Sequence, residues 1–216
     1  MNDRTFDSSL TKAEARTIAE LRSPAHIQAF LDTLDYSEEV RYRSPLTVLR
    51  DRKAHCFDGA VFAAAMLKRI GHAPLVLDII PNDNDDDHVL AVYRVDKHWG
   101  AVAKSNYTGL RYREPIHRTI RELIISYFDV FFNSIGERTM RAYTRPLNLG
   151  AFDKIHWETR DESLDAIADK LDEIRKFRPL TPAMIRHLTF ADERSVKAGL
   201  LGSKASGLFK PQKRRR

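Results

Sequence analysis

The chain has 216 residues, of which 43% are hydrophobic and 31% charged, with one cysteine and a formal net charge of +6. That composition fits one globular domain large enough to bury a real core. It excludes a wholly disordered chain, a collagen-like repeat and a disulfide scaffold, and a lone Cys56 excludes a cysteine-rich zinc site. The charge is uneven: eight basic and no acidic residues lie from Arg194 onward, against 28 basic and 30 acidic before it. Residues 194–216 therefore read as a basic, flexible extension, and contact with nucleic acid is expected only through it. The opening MNDRTFDSSLTKAEAR has no apolar h-region, and no stretch approaches 18 uncharged apolar residues. Neither a secretory signal nor a membrane span is expected, and the cytoplasm is the default location.

In chain order, Ser8, Ser9 and Thr11 offer caps to a helical pattern, TKAEARTIAELRS. Ser23-Pro24 opens a second helix to about Leu34, and Ser44-Pro45 opens a short third one. CFDGAVFAAAMLKRI, from Cys56 to Ile70, is apolar nearly all round, so it predicts a helix buried on most sides and stopped by Gly71. APLVLDII reads as a strand ended by Pro81. NDNDDD is an acidic loop; without the glycine and distal glutamate of an EF-hand it reads as a solvated loop rather than a calcium site. HVLAVYRV (88–95) and WGAVAKSN are two further strands around a turn. After Pro115, IHRTIRELIISYFDVFF predicts an amphipathic helix, residues 158–177 another, and TPAMIRHL and ADERSVKAGLL two shorter ones. The order makes an α+β domain: a buried Cys-bearing helix on an antiparallel strand meander, flanked by N- and C-terminal helices.

Cys56 opens a helix, where the positive end of the dipole and free backbone N–H groups favour a thiolate. His88 heads the second strand. If Asp96, Lys97 and His98 form a three-residue hairpin loop, Val95 pairs with Trp99 and His88 faces Asn106; a two-residue loop puts Ser105 there instead. Either side chain is suited to orient an imidazole, as the third member of a Cys–His–Asn arrangement does. Trp99, Tyr107 and Arg111 are candidate substrate contacts. No metal or cofactor is expected.

The segments AHCFDGAVFAAAMLKRIGHAPLVLDI, DHVLAVYRV and HWGAVAKSNYTGLRYREP resemble the transglutaminase-like superfamily, a branch of the papain-like cysteine enzymes. The resemblance spans about residues 44–115, with 1–43 as preceding helices and 116–193 as a C-terminal helical part of the same domain. It implies a papain-like fold in which His88 takes the Cys56 proton and the thiolate attacks an amide or peptide bond. Two positions depart from the family pattern: Ala54 stands where glycine is usual, and AVAKSN carries no carboxylate, so Asn106 takes the aspartate's place. A cysteine hydrolase or acyl-transferase acting on a peptide or protein is the first expectation. A catalytically silent member that binds a peptide or protein partner through the cleft is the alternative.

Overall fold

The computed structural model describes residues 5–212. The N-terminal part supplies α1 (Lys12–Glu20) and α2 (Pro24–Asp32), capped by Thr11 and Ser23. A short strand, β1 (Asp35–Tyr36), precedes α3 (Pro45–Asp51) and pairs in parallel with β2 (Lys53–Ala54). That pairing brings Tyr36 level with Ala54, two residues before Cys56.

Next comes α4 (Cys56–Arg69), which runs buried from Phe57 to Leu67 and ends ahead of Gly71, whose φ is +93°. The chain then makes a meander of β3 (Leu75–Pro81), β4 (His88–Val95), β5 (His98–Val102) and β6 (Arg113–His117). After α5 (Ile120–Ile125), β7 (Met140–Thr144) pairs with β3 on its free side. β8 (Leu147–Asn148) extends that edge, and β9 (Lys176–Phe177) follows α6 (Leu164–Glu173) and pairs with β7. The described chain closes with α7 (Pro182–Arg186) and α8 (Glu193–Gly199). The seven-stranded sheet, ordered β6-β5-β4-β3-β7-β9 with β8 beside β3, is antiparallel throughout its pairings.

Strand alternation sends side chains to two separate cores. Val76, Val89, Ala91, Tyr93 and Val102 pack with α4, α2 and α3, around Phe62, Leu31 and Val48. Leu77, Ile79, Leu90, Val92 and Ala101 pack on the opposite face with Leu123, Ile124, Tyr127 and Phe131. The N-terminal helices share the first core, so residues 1–43 are not separable in the part described.

Three expectations need correction. Pro115 lies inside β6, not at the head of a helix: β6 is the sheet's edge strand, where proline is tolerated. The helix after it shrinks to Ile120–Ile125, starting only where Thr119 caps it. Residues 116–193, expected as a helical part of the same domain, are therefore not wholly helical, because they place β7, β8 and β9 in the sheet. Finally, residues 194–212 are packed against the domain. Lys204 is held by Asn106, and the backbone of Gln212 exchanges bonds with the side chain of Asn84. Residues 213–216, which hold half of the basic residues of that extension, lie outside the described residues.

Candidate functional site

His55 ends the link from β2 and caps α4. Its Nδ1 accepts from the Asp58 backbone N–H at 3.4 Å, and the Asp58 carboxylate accepts from the His55 N–H at 3.4 Å. This is a capping box made from histidine and aspartate. Burial holds the His55 imidazole down at about 4, so it stays neutral and its Nδ1 stays an acceptor. Asp58 is fully buried; its Oδ1 also accepts from the Arg43 N–H at 2.8 Å. Burial raises its carboxyl to about 7, although Arg43 pulls the other way. The Arg43 guanidinium, itself 1% exposed, also reaches Ser37, Glu39 and Asp51. These bonds tie residues 37–43 to the first turn of α4.

The tied segment is one wall of a cleft of about 660 Å³ at the head of α4. Cys56 and Asp78 line it from α4 and β3, Tyr36 from the end of β1 and Tyr42 from the tied segment. Asp165, Ala168 and Asp172, spaced i, i+3 and i+7, present one face of α6 to it. Residues 206–209 of the C-terminal segment close the remaining side. Gly207 lies so close to Tyr36 that a Cβ there would meet its ring at 2.8 Å.

Cys56 is half-buried, with Sγ 3.9 Å from the Asp87 carbonyl oxygen. Burial pushes the thiol well up, and the carboxylates of Asp87, Asp86 and Asp78 push it further, while the Val89 N–H opposes them. The helix N-terminus favours a thiolate, but here it is outweighed. Loss of solvent around Asp87 and repulsion from Asp86 and Asp172 raise the Asp87 carboxyl to about 6.

His88 does not meet Cys56. It shares parity with Leu90 and Val92, so its ring lies on the sheet face away from α4. There it is 4% exposed, and its Nε2 bonds the Leu110 carbonyl oxygen at 2.6 Å. The partner is a carbonyl, so Nε2–H donates. Burial lowers the imidazole to about 4. Asp87, of opposite parity, occupies the side facing the thiol.

The third expected member lies with His88 rather than with Cys56: His88, Ser105 and Asn106 line one small cavity, yet neither Ser105 nor Asn106 bonds the imidazole. The hairpin loop has two residues, Asp96 and Lys97, with φ of +46° and +70°, and Val95 pairs with His98. The three-residue register that brought Asn106 opposite His88 is therefore wrong. The two-residue register points to Ser105, but β5 ends at Val102, before any such pairing. Asn106 spends both ends of its amide on Lys204, donating to its carbonyl oxygen at 2.8 Å and accepting from its N–H at 2.7 Å. Ser105 Oγ accepts from the Tyr107 N–H.

The expected substrate contacts lie away from the thiol too. Trp99 stacks beneath Arg94, 5.0 Å from its ring centre, on the α5 side of the sheet. Arg111 pairs with Asp32 at 3.0 Å. Tyr107 and Arg111 line a second cleft of about 620 Å³, with Ser105 and Asn106.

The residues that build the first cleft were carried by weaker signals. Asp78 interrupts the apolar run APLVLDII, and a carboxylate in the middle of a buried strand is a site signal. Asp58 interrupts CFDGAVFAAAM three residues after His55, the spacing of a capping box. Arg43 and Tyr36 carried no such mark. Among the described residues no cluster of three or more His, Cys, Asp or Glu side chains is arranged to hold a metal ion. No helix among them is long and apolar enough to cross a membrane. Comparison with known proteins adds no relative: no family model matches the chain, and neither does any curated protein.

Proposed function

We propose that this protein is a binding module built on a transglutaminase-like scaffold, and that its cleft at the head of α4 receives a peptide or protein segment without turning it over. One observation carries the reading: Cys56 and His88 lie on opposite sides of β4, and the imidazole is committed to the Leu110 carbonyl. A thiol nucleophile needs a base within hydrogen-bond reach or a depressed pKa. Burial of the Cys56 thiol, and after it the neighbouring carboxylates, hold the proton on the sulfur. Substrate chemistry on an amide therefore has no activated attacking group, whereas the cleft has the size and mixed lining of a ligand site.

The scaffold reading rests on the quoted segments together with an α+β fold in which a Cys-headed buried helix packs on an antiparallel meander. A thiol-enzyme reading keeps one favouring observation, that Cys56 occupies the first position of α4 and lines the cleft.

The pH dependence of Cys56 alkylation by iodoacetamide separates the two readings, and Cys56 is the only thiol in the chain. A binding module should alkylate slowly, with an apparent pKa above the free value of ~8.5. The profile should be unchanged in His88→Ala and in His88→Gln, the second of which can still donate to Leu110. Fast alkylation below neutral pH that disappears in both variants would establish the thiol enzyme.

A further inference from the structure

Asp78 is 5% exposed, and its Oδ1 has no hydrogen-bond partner. It shares parity with Val76, so it faces the α4 side, where it lines the cleft. An unpartnered buried carboxylate oxygen is costly, and such a cost at a cavity wall points to a donor delivered by a ligand. Asp87 and Asp172 act on Asp78 through their charge, and neither is in a salt bridge among the described residues. Of the cations nearby, Arg41 lines the cleft but is paired with Glu39 and Asp51, and Lys176 acts on Asp78 through its charge from outside the lining.

We infer that the cleft receives an alkylammonium or guanidinium group, seated against Asp78 with Asp87 and Asp172 beside it. The inference rests on the binding reading above and names the chemistry of the ligand. An organic cation fits better than an inorganic one. Among the described residues the acidic groups do not converge into a metal cluster, the cavity of about 660 Å³ has room for a side chain, and Tyr36 and Tyr42 put aromatic rings in its lining. Each N–H of such a group is a donor, which is what Asp78 Oδ1 lacks. The same chemistry occurs in a lysyl or arginyl peptide and in a free polyamine.

Isothermal titration of the 216-residue chain tests this with three probes: a blocked Ala-Lys-Ala tripeptide, its norleucine counterpart and spermidine. The expected result is binding of the lysyl peptide, of spermidine or of both, none of the norleucine peptide, and at least tenfold weaker binding in Asp78→Asn and Asp172→Asn. Binding of the lysyl peptide alone identifies a peptide source, and of spermidine alone a small amine. Asp172 is exposed on α6, so its variant decides the matter if Asp78→Asn fails to fold. Equal binding of the norleucine peptide, unchanged affinity in the variants, or binding of none of the three overturns the inference. So does competition by calcium at equimolar concentration. The binding reading is judged separately, by the alkylation profile of Cys56, which none of these titrations decides.

Discussion

Asp78 and His88 lie on paired strands one position out of register, opposite Val89 and Ile79 respectively, and each is a polar group buried on its own side of the sheet. Their titration differs in sign. The folded state holds His88 neutral down to about 4, against an ordinary value of 6.5. Between those values the unfolded chain takes up a proton that the folded chain refuses, so stability falls as pH drops through this window. His55 adds a loss of the same sign. His88→Gln does not titrate, and its unfolding free energy should fall less steeply from pH 6.5 to 4 in urea titrations. A slope equal to wild type would show that the imidazole contributes nothing. Asp58 acts oppositely: its carboxyl is raised from 3.8 to about 7, so ionising it costs stability as pH rises through that interval. Asp58→Ala removes both the cap and the acceptor of the Arg43 N–H. It should lose roughly 2–4 kcal/mol at neutral pH, from a lost cap and a buried donor left unpaired.

At the scale of elements, the position of α4 is set by a close approach to the segment after β5. A Cβ at Gly59 would stand 2.3 Å from the Lys104 Cβ, an atom held by its own backbone and unable to swing aside. Gly59→Ala gains helix propensity but overpacks this contact. The net outcome should be a loss of about 1–3 kcal/mol, read as a lower urea midpoint at constant m-value. The β4–β5 hairpin has the reverse defect. Asp96 and Lys97 both adopt positive φ without being glycine. Lys97→Gly should raise stability by up to ~1 kcal/mol, because a two-residue turn of this kind favours glycine at its second central position. A drop in the thermal midpoint would show that the Lys97 side chain contributes more than its backbone costs.

For the whole molecule, the C-terminal segment is part of the cleft. Lys204 is clamped by Asn106 and pairs with Glu38 at 3.3 Å, and the chain then passes over Tyr36. The exposed ion pair contributes little, so the amide clamp carries most of the attachment at this point. Asn106→Ala should leave the domain folded, expose residues 203–212 to limited proteolysis and speed alkylation of Cys56. Proteolysis and alkylation both at wild-type rates would mean that Asn84 and the contacts of Leu208 and Phe209 hold the segment alone.

How much was legible in the chain differs by residue. The helix caps at Thr11, Ser23 and Ser44, the buried helix from Cys56 and the strand from His88 to Val95 could all be read directly, because each depends on neighbours within a turn or a pleat. The site could be read only in pieces. Cys56 was marked by its helix-head position, whereas Asp78 passed unmarked inside an apolar run that it interrupts. The strand period was in hand, but the face occupied by His88 also depends on which side α4 packs, and that is not a local property. Register behaved in the same way: one residue fewer in the hairpin loop moved the residue opposite His88 from Asn106 to Ser105, and the early end of β5 removed the pairing altogether.

The sequence by itself determined an α+β domain with one thiol at the head of a buried helix, because caps, periodicity and composition act over short stretches. Only the tertiary structure decided that the thiol faces carboxylates rather than an imidazole. It also decided that Asn106 anchors the C-terminal segment and that this segment, read as free, forms a wall of the cleft. Those outcomes join residues as far apart as 36 and 207, and they follow from how faces pack and which strands pair, which no local stretch of the chain encodes.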